Sequence, residues 1–301
     1  MSLRSFARSW NPFFKEQSPL PIALFRIIYS ILVIITLILL RPDWSNWYGA
    51  HAWLSLPTAL KLEPGHRLNL FAIIPQSDAW IEALFWLSLS SAALLTVGLF
   101  TRINSILVFV CLTSIQQRNL YILHGGDTFL RLAGFFLIFA PAGAALSLDH
   151  VIRTRRGKES RNYIQARSPW AQRMIQLQLS LIYLVAFLLK IKSAPWLQGT
   201  ALFYVYYLDE LRRFPLPGWF FDPALMKLGG WFALALEFSL GVLIWVKEFR
   251  YGLLTLGLLF HLWLEYSLNI PMFQWDLVAA YVLFIDADKM SRGWSRIRLP
   301  P

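Results

Sequence analysis

From Pro21 to Leu40 the chain runs for twenty residues with one charged side chain, Arg26. A helix rises 1.5 Å per residue, so about twenty residues cross the roughly 30 Å hydrocarbon core of a bilayer. In lipid no water bonds the peptide groups, and a helix satisfies them within its own segment. The stretch is longer than the apolar core of a signal peptide and ends in Arg41-Pro42-Asp43-Trp44 instead of a small-residue cleavage site. It reads as a retained first membrane helix.

The pattern recurs along the chain. Eight apolar segments are expected as spans, at about 21–40, 80–99, 102–117, 128–147, 173–191, 229–246, 251–267 and 273–287, the third and eighth short enough to be tilted or re-entrant. Only 15% of the residues are charged and 57% are hydrophobic, where a soluble domain carries about 25% charge. There is too little charge here to cover a globular surface in water. The expected fold is an all-α polytopic transmembrane bundle of about eight spans, one membrane domain over 15–290 with no separate soluble domain.

The net charge of +11 does not point to nucleic acid, because the basic residues sit mainly in loops between apolar segments. With the N-terminus inside, 17 of the 28 Lys and Arg fall in inner loops and eight on the outer side. That asymmetry follows the positive-inside rule and places both termini in the cytoplasm. The inner loop around Arg153–Arg161 then serves topology. Two long outer segments, 41–79 and 192–228, are rich in Trp, Tyr and Pro, and are expected to lie as interfacial or re-entrant pieces over the outer mouth. The single cysteine, Cys111, permits no intrachain disulfide and leaves the redox compartment unread.

Ionisable groups inside such segments are the candidates for function. Gln176, Tyr183 and Lys190 are spaced by seven in one apolar helix and form a polar stripe on one side of it. Lys190 has three readings: an interfacial anchor, an ion-pair partner of Glu237, or a base whose basicity burial has tuned. Glu237 has no local partner and is expected to reach Arg26, Lys190 or a hydrogen-bond donor. Asp127 precedes Arg131 by four residues, the spacing of a helical ion pair. His261 and Glu265 share a helical face, but without a third ligand no metal site is expected. The run His124-Gly125-Gly126-Asp127 forms a polar loop whose glycines either admit a close backbone approach or make a plain turn.

The run Gln176…Tyr183-Leu-Val-Ala-Phe-Leu-Leu-Lys190…Trp196-Leu-Gln-Gly199-Thr200 resembles the HTTM membrane domain shared with vitamin K-dependent gamma-carboxylases. Gln117-Arg118-Asn119…Gly126-Asp127…Arg131, the Phe260-His261 helix and Arg26 in Ala-Leu-Phe-Arg-Ile also look like that family, and the likeness covers about 15–290. It implies a quinone-dependent carboxylase-type enzyme acting at the outer face. Lys190 would be the base that deprotonates reduced vitamin K, with His261 or His124 nearby, and Tyr183, Gln176 and Trp196 would line the cofactor site. Two features differ: the carboxylase has adjacent lysines where this chain has Lys190-Ile191-Lys192, and the chain ends soon after the last apolar segment. The length therefore also suits a non-catalytic membrane partner in maturation, export or immunity of a secreted peptide. A bacterial inner membrane is the expected location, with a secreted peptide or protein as the expected substrate.

Overall fold

The structure is a computed structural model that describes residues 13–62, 68–157 and 165–297, with side chains up to 293. Arg4, Arg8, Arg67, Lys158, Arg161 and Arg298 of the charge count lie outside those residues. The described chain is helical, its only β contacts being two isolated bridges, Gln17 with Arg167 and Arg212 with Leu268. Each expected span contains a helix: α1 Leu20–Leu40, α2 Asp78–Val97, α3 Thr101–Arg118, α4 Gly125–Phe139, α5 Trp170–Lys190, α6 Pro223–Val242, α7 Lys247–Ser267 and α8 Phe273–Ala279.

Among the described residues, four segments are both long and apolar enough to cross a membrane: Leu20–Tyr48, Asp78–Val97, Trp170–Lys190 and Pro223–Trp245. The other helices differ for visible reasons. α3 is 18 residues long but buries Asn104, Ser105, Thr113, Ser114 and Gln116. α7 has 21 residues and carries Lys247, Glu248, Arg250, His261 and Glu265. α4 is only 15 residues long.

Among the boundaries that differ from the reading of the sequence, two have a clear local cause. The fourth helix was expected over 128–147 but covers Gly125–Phe139. Pro141 cannot continue a helix and pushes the residue before it out of the helical region. The sixth was expected from 229 but begins at Pro223, where the Asp222 carboxylate accepts the N–H groups of Ala224 and Leu225 at 2.9 and 3.1 Å. An Asp cap followed by Pro at the first helical position is a strong start signal.

The chain divides into two compact units, Met1–Ile175 with Ile285–Pro301, and Gln176–Phe284. In the first, α1 packs on α2, α2 on α3 and α3 on α4. Gly98 closes α2 in the left-handed region, φ 71°, and a side chain there would meet the guanidinium of Arg26. Asp149 then holds the start of α3, accepting Phe100 N–H at 2.9 Å and Thr101 N–H at 2.7 Å. In the segment after α1, Trp44 and Tyr48 are buried, packed on Phe71 and, for Trp44, Phe85.

In the second unit, α6 packs on α7 and α7 on α8. Gly241 of α6 brings that helix against α5, since a Cβ there would lie 3.0 Å from the backbone nitrogen of Leu184. Small residues at such crossings let helices associate by close backbone packing where no hydrophobic force separates protein from lipid.

Candidate functional site

The second unit contains a cavity of about 570 Å³. α5 contributes Tyr183 and Lys190 to its wall, α6 Phe232 and Glu237, α7 Phe260 and His261. Most of the remaining wall is aliphatic or aromatic, so the few polar atoms that reach it stand out.

Lys190 and Glu237 form an ion pair on this wall. Lys190 closes α5, and its Nζ lies 4.9 Å from the centre of the Trp196 ring. An ammonium over an indole face gains attraction from the ring quadrupole. Trp196 is presented by the short helix Ala194–Gln198, which ends at Gly199 in the left-handed region, φ 77°. The Trp-x-x-Gly spacing thus has a local cause: the glycine terminates the turn that lays the indole under the lysine. Of the partners expected for Glu237, Lys190 is the one placed against it. Glu237 is 6% exposed, and its second oxygen, Oε2, is buried without a hydrogen-bond partner.

A second polar chain runs from Tyr281 through Tyr183 to His261 and Gln274. The Tyr183 hydroxyl lies 2.8 Å from that of Tyr281 and 2.6 Å from His261 Nε2. His261 Nδ1 lies 2.5 Å from Gln274 Oε1. With that amide oxygen turned to the ring, Nδ1 carries the proton and Nε2 accepts from Tyr183. Tyr183 in turn accepts from Tyr281. Gly257 of α7 makes room for this chain, because a Cβ there would collide with the Tyr281 hydroxyl.

The remaining sequence candidates are placed elsewhere. Gln176 is buried and donates to the carbonyl of Leu283 at 2.6 Å; it is not among the cavity's lining residues. His124, in the first unit, is the N-cap of α4: its Nδ1 accepts Gly126 N–H at 3.1 Å while the Asp127 carboxylate accepts His124 N–H at 2.9 Å. The His-Gly-Gly-Asp run is thus a capping box, a signal readable from an acid three residues after a cap. Arg131 donates to Gln116 Oε1 at 3.3 Å. Arg26 is held by main-chain carbonyls, Ala142 at 3.0 Å, Leu146 at 2.5 Å and Thr96 at 3.4 Å, with the charge of Asp149 acting on it from further off. Glu265 pairs with Arg213 while its helical neighbour His261 bonds Tyr183 and Gln274.

The HTTM domain model matches residues 14–289. The chain belongs to the HTTM family. Its long apolar helices and that membership make it an integral membrane protein. No curated protein and no solved structure matches this HTTM chain. Gln274 and Tyr281 were not singled out in its sequence. Their roles depend on partners 13 and 98 residues away, which no local pattern encodes.

Proposed function

We propose that this HTTM protein is a carboxylase-type membrane enzyme that takes a lipid-soluble quinol in the cavity of its second unit. The observation that carries the reading is the Lys190–Glu237 pair on the wall of an otherwise apolar cavity. Charged side chains in a membrane helix are costly and are kept where they act or bind. The cavity, about 570 Å³, falls within the roughly 300–1,000 Å³ used by ring-sized ligands. Apolar walls with a few convergent polar atoms fit a prenylated ring with polar substituents.

When bound, a quinol of the vitamin K class supplies, with oxygen, a base strong enough to remove a carbon-bound proton from a peptide glutamate. The residues of the chain have narrower tasks. Lys190 and Glu237 hold a ring oxygen by charge-assisted hydrogen bonds, and the carboxylate of the pair takes its proton. Trp196 fixes the ammonium in place. His261, with its tautomer set by Gln274, orients the Tyr183 hydroxyl. The aromatic walls exclude water, which strengthens each polar contact.

The finer topology belongs to the same reading: eight spans, both termini cytoplasmic, the Lys190 end of α5 at the outer face of a bacterial inner membrane, and a secreted peptide as substrate. Two experiments test it. Anaerobic titration of the purified protein in nanodiscs with a prenylated naphthohydroquinone is expected to show saturable binding; its absence sinks the cofactor claim. Replacement Lys190→Ala is expected to abolish activity in the host at normal protein levels. Full activity from that variant would favour a non-catalytic partner in peptide maturation, export or immunity.

A further inference from the structure

Another cavity, of about 380 Å³, lies within the first unit. The start of α3 gives it Thr101 and Arg102, the short helix Leu148–Arg155 gives Asp149 and Arg153, and Arg167 enters just before α5. Three arginines and one aspartate thus line it, and the aspartate is already engaged. Asp149 accepts the N–H groups of Phe100 and Thr101 and, at 2.6 Å, the Thr101 hydroxyl. Two of the arginines are anchored. Arg153 donates to the Gly143 carbonyl at 2.6 Å, and the main chain of Arg167 bridges that of Gln17 in both directions, at 2.9 and 3.0 Å. Arg102 is exposed in the first turn of α3, where the helix dipole favours an anion over a cation. The rest of the wall, with Leu137, Pro141 and Ala144, is apolar. Beside it in the chain, Ile103 and Ile106 of α3 are exposed, as are Leu148, Val151 and Ile152 on one face of the short helix. An exposed apolar face on a helix that also carries arginines is the pattern of a segment lying in the membrane interface.

We propose that this cavity binds the phosphodiester of an anionic phospholipid, whose acyl chains lie along the exposed apolar side chains of α3 and the short helix. Guanidinium groups bind phosphate oxygens through forked, charge-assisted hydrogen bonds. Basic pockets between membrane helices take lipid head groups in this way. A head group that adds a fixed cation, as choline does, is repelled by the arginines. A water-soluble phosphate ester offers the same anion but nothing to set against the apolar wall, so that wall selects the lipid. The inference stands apart from the quinol reading, which concerns the other unit.

The test titrates the full chain, in an uncharged maltoside detergent, with dihexanoyl phosphatidylglycerol below its micelle concentration. A ligand of the folded state raises the unfolding midpoint by mass action, so the midpoint reports the affinity. Dihexanoyl phosphatidylcholine and glycerol phosphate are the comparators. Phosphatidylglycerol is expected to bind about tenfold or more tightly than either. An equal response to glycerol phosphate overturns the lipid assignment in favour of a soluble phosphate ester. An equal response to phosphatidylcholine, or none to phosphatidylglycerol, overturns the proposal outright, and none of these arms needs a variant to fold. Arg102→Gln, at an exposed position, is expected to weaken phosphatidylglycerol about fivefold or more. The double variant Arg155→Gln, Arg156→Gln removes two exposed arginines that do not line the cavity and should leave the affinity within about twofold of wild type. Equal losses from the two variants overturn the site in favour of general surface attraction.

Discussion

The two units of this membrane protein handle buried charge in opposite ways. In the first, Arg26 gives both terminal nitrogens to carbonyls near the end of α2 and in the loop after α4. Cations are stabilised at helix C-termini, where unpaired carbonyls concentrate negative charge. In the second, Lys190 and Glu237 meet each other on a cavity wall. A charge spent on the main chain fixes a fold. A charge paired to a side chain, beside empty volume, is available to a ligand.

The sharpest way to break this comparison is Arg26→Met. It strands three carbonyl hydrogen bonds inside the first unit, and each unmet group costs about 1–3 kcal/mol. A loss of about 3–5 kcal/mol is expected in denaturant or thermal unfolding in detergent. Hydroquinone affinity per folded molecule should stay the same. A variant that is stable yet fails to bind would show that Arg26 belongs to the functional machinery after all.

The second contrast concerns the pair. Lys190→Met or Glu237→Leu alone leaves one buried charge uncompensated, whereas both together replace a pair by apolar groups of similar shape. Each single variant should be about 2 kcal/mol less stable than the double, which should lie close to wild type. Neither single nor double should bind the hydroquinone as tightly as the wild type, since Lys190 and Glu237 hold the ring oxygen together. If the double is the least stable of the three, the pair holds the unit together and is not reserved for a ligand.

How much of this was legible in the sequence follows the same division. The eight helices were readable because each apolar run sets a local requirement for internal hydrogen bonding. The missed boundaries, Phe139 and Pro223, were also written locally, in Pro141 and in Asp222-Pro223. The Lys190–Glu237 contact was readable as one of three alternatives, since an unpartnered acid in an apolar helix must find a donor. The tautomer of His261 was not readable: it is set by Gln274 on another helix, and Gln is unremarkable in isolation. Arg26, a conspicuous charge in an apolar run, looked like half of an ion pair, yet its terminal nitrogens go to main-chain carbonyls, because a residue pattern names a need and not its partner.

A smaller effect is expected where α5 and α6 cross. A Cβ at Gly241 would stand 3.0 Å from the Leu184 nitrogen and 3.1 Å from its Cβ. Gly241→Val must therefore separate the helices that carry Lys190 and Glu237, at about 1–3 kcal/mol. Hydroquinone affinity should fall along with stability, as the ion pair opens. Unchanged affinity would mean the pair tolerates helix separation.

The smallest change in stability should come from Gly257→Ala, and it is the most discriminating. Alanine gains up to about 1 kcal/mol over glycine inside a helix. Its Cβ, however, would lie 3.0 Å from Tyr281 Cζ and against the hydroxyl, forcing that group away from Tyr183. Losing one buried hydrogen bond costs about 1 kcal/mol, so the two effects nearly cancel. The unfolding midpoint should hardly move, while Tyr183, now without its donor, reorients against His261 Nε2. Nitrogen NMR of labelled histidine reads that change directly: the His261 Nε2 signal should shift and the Nδ1 signal, bonded to Gln274, should shift far less. A lower midpoint with an unmoved Nε2 signal would mean that Tyr281 serves packing alone, and the polar chain would then end at Tyr183.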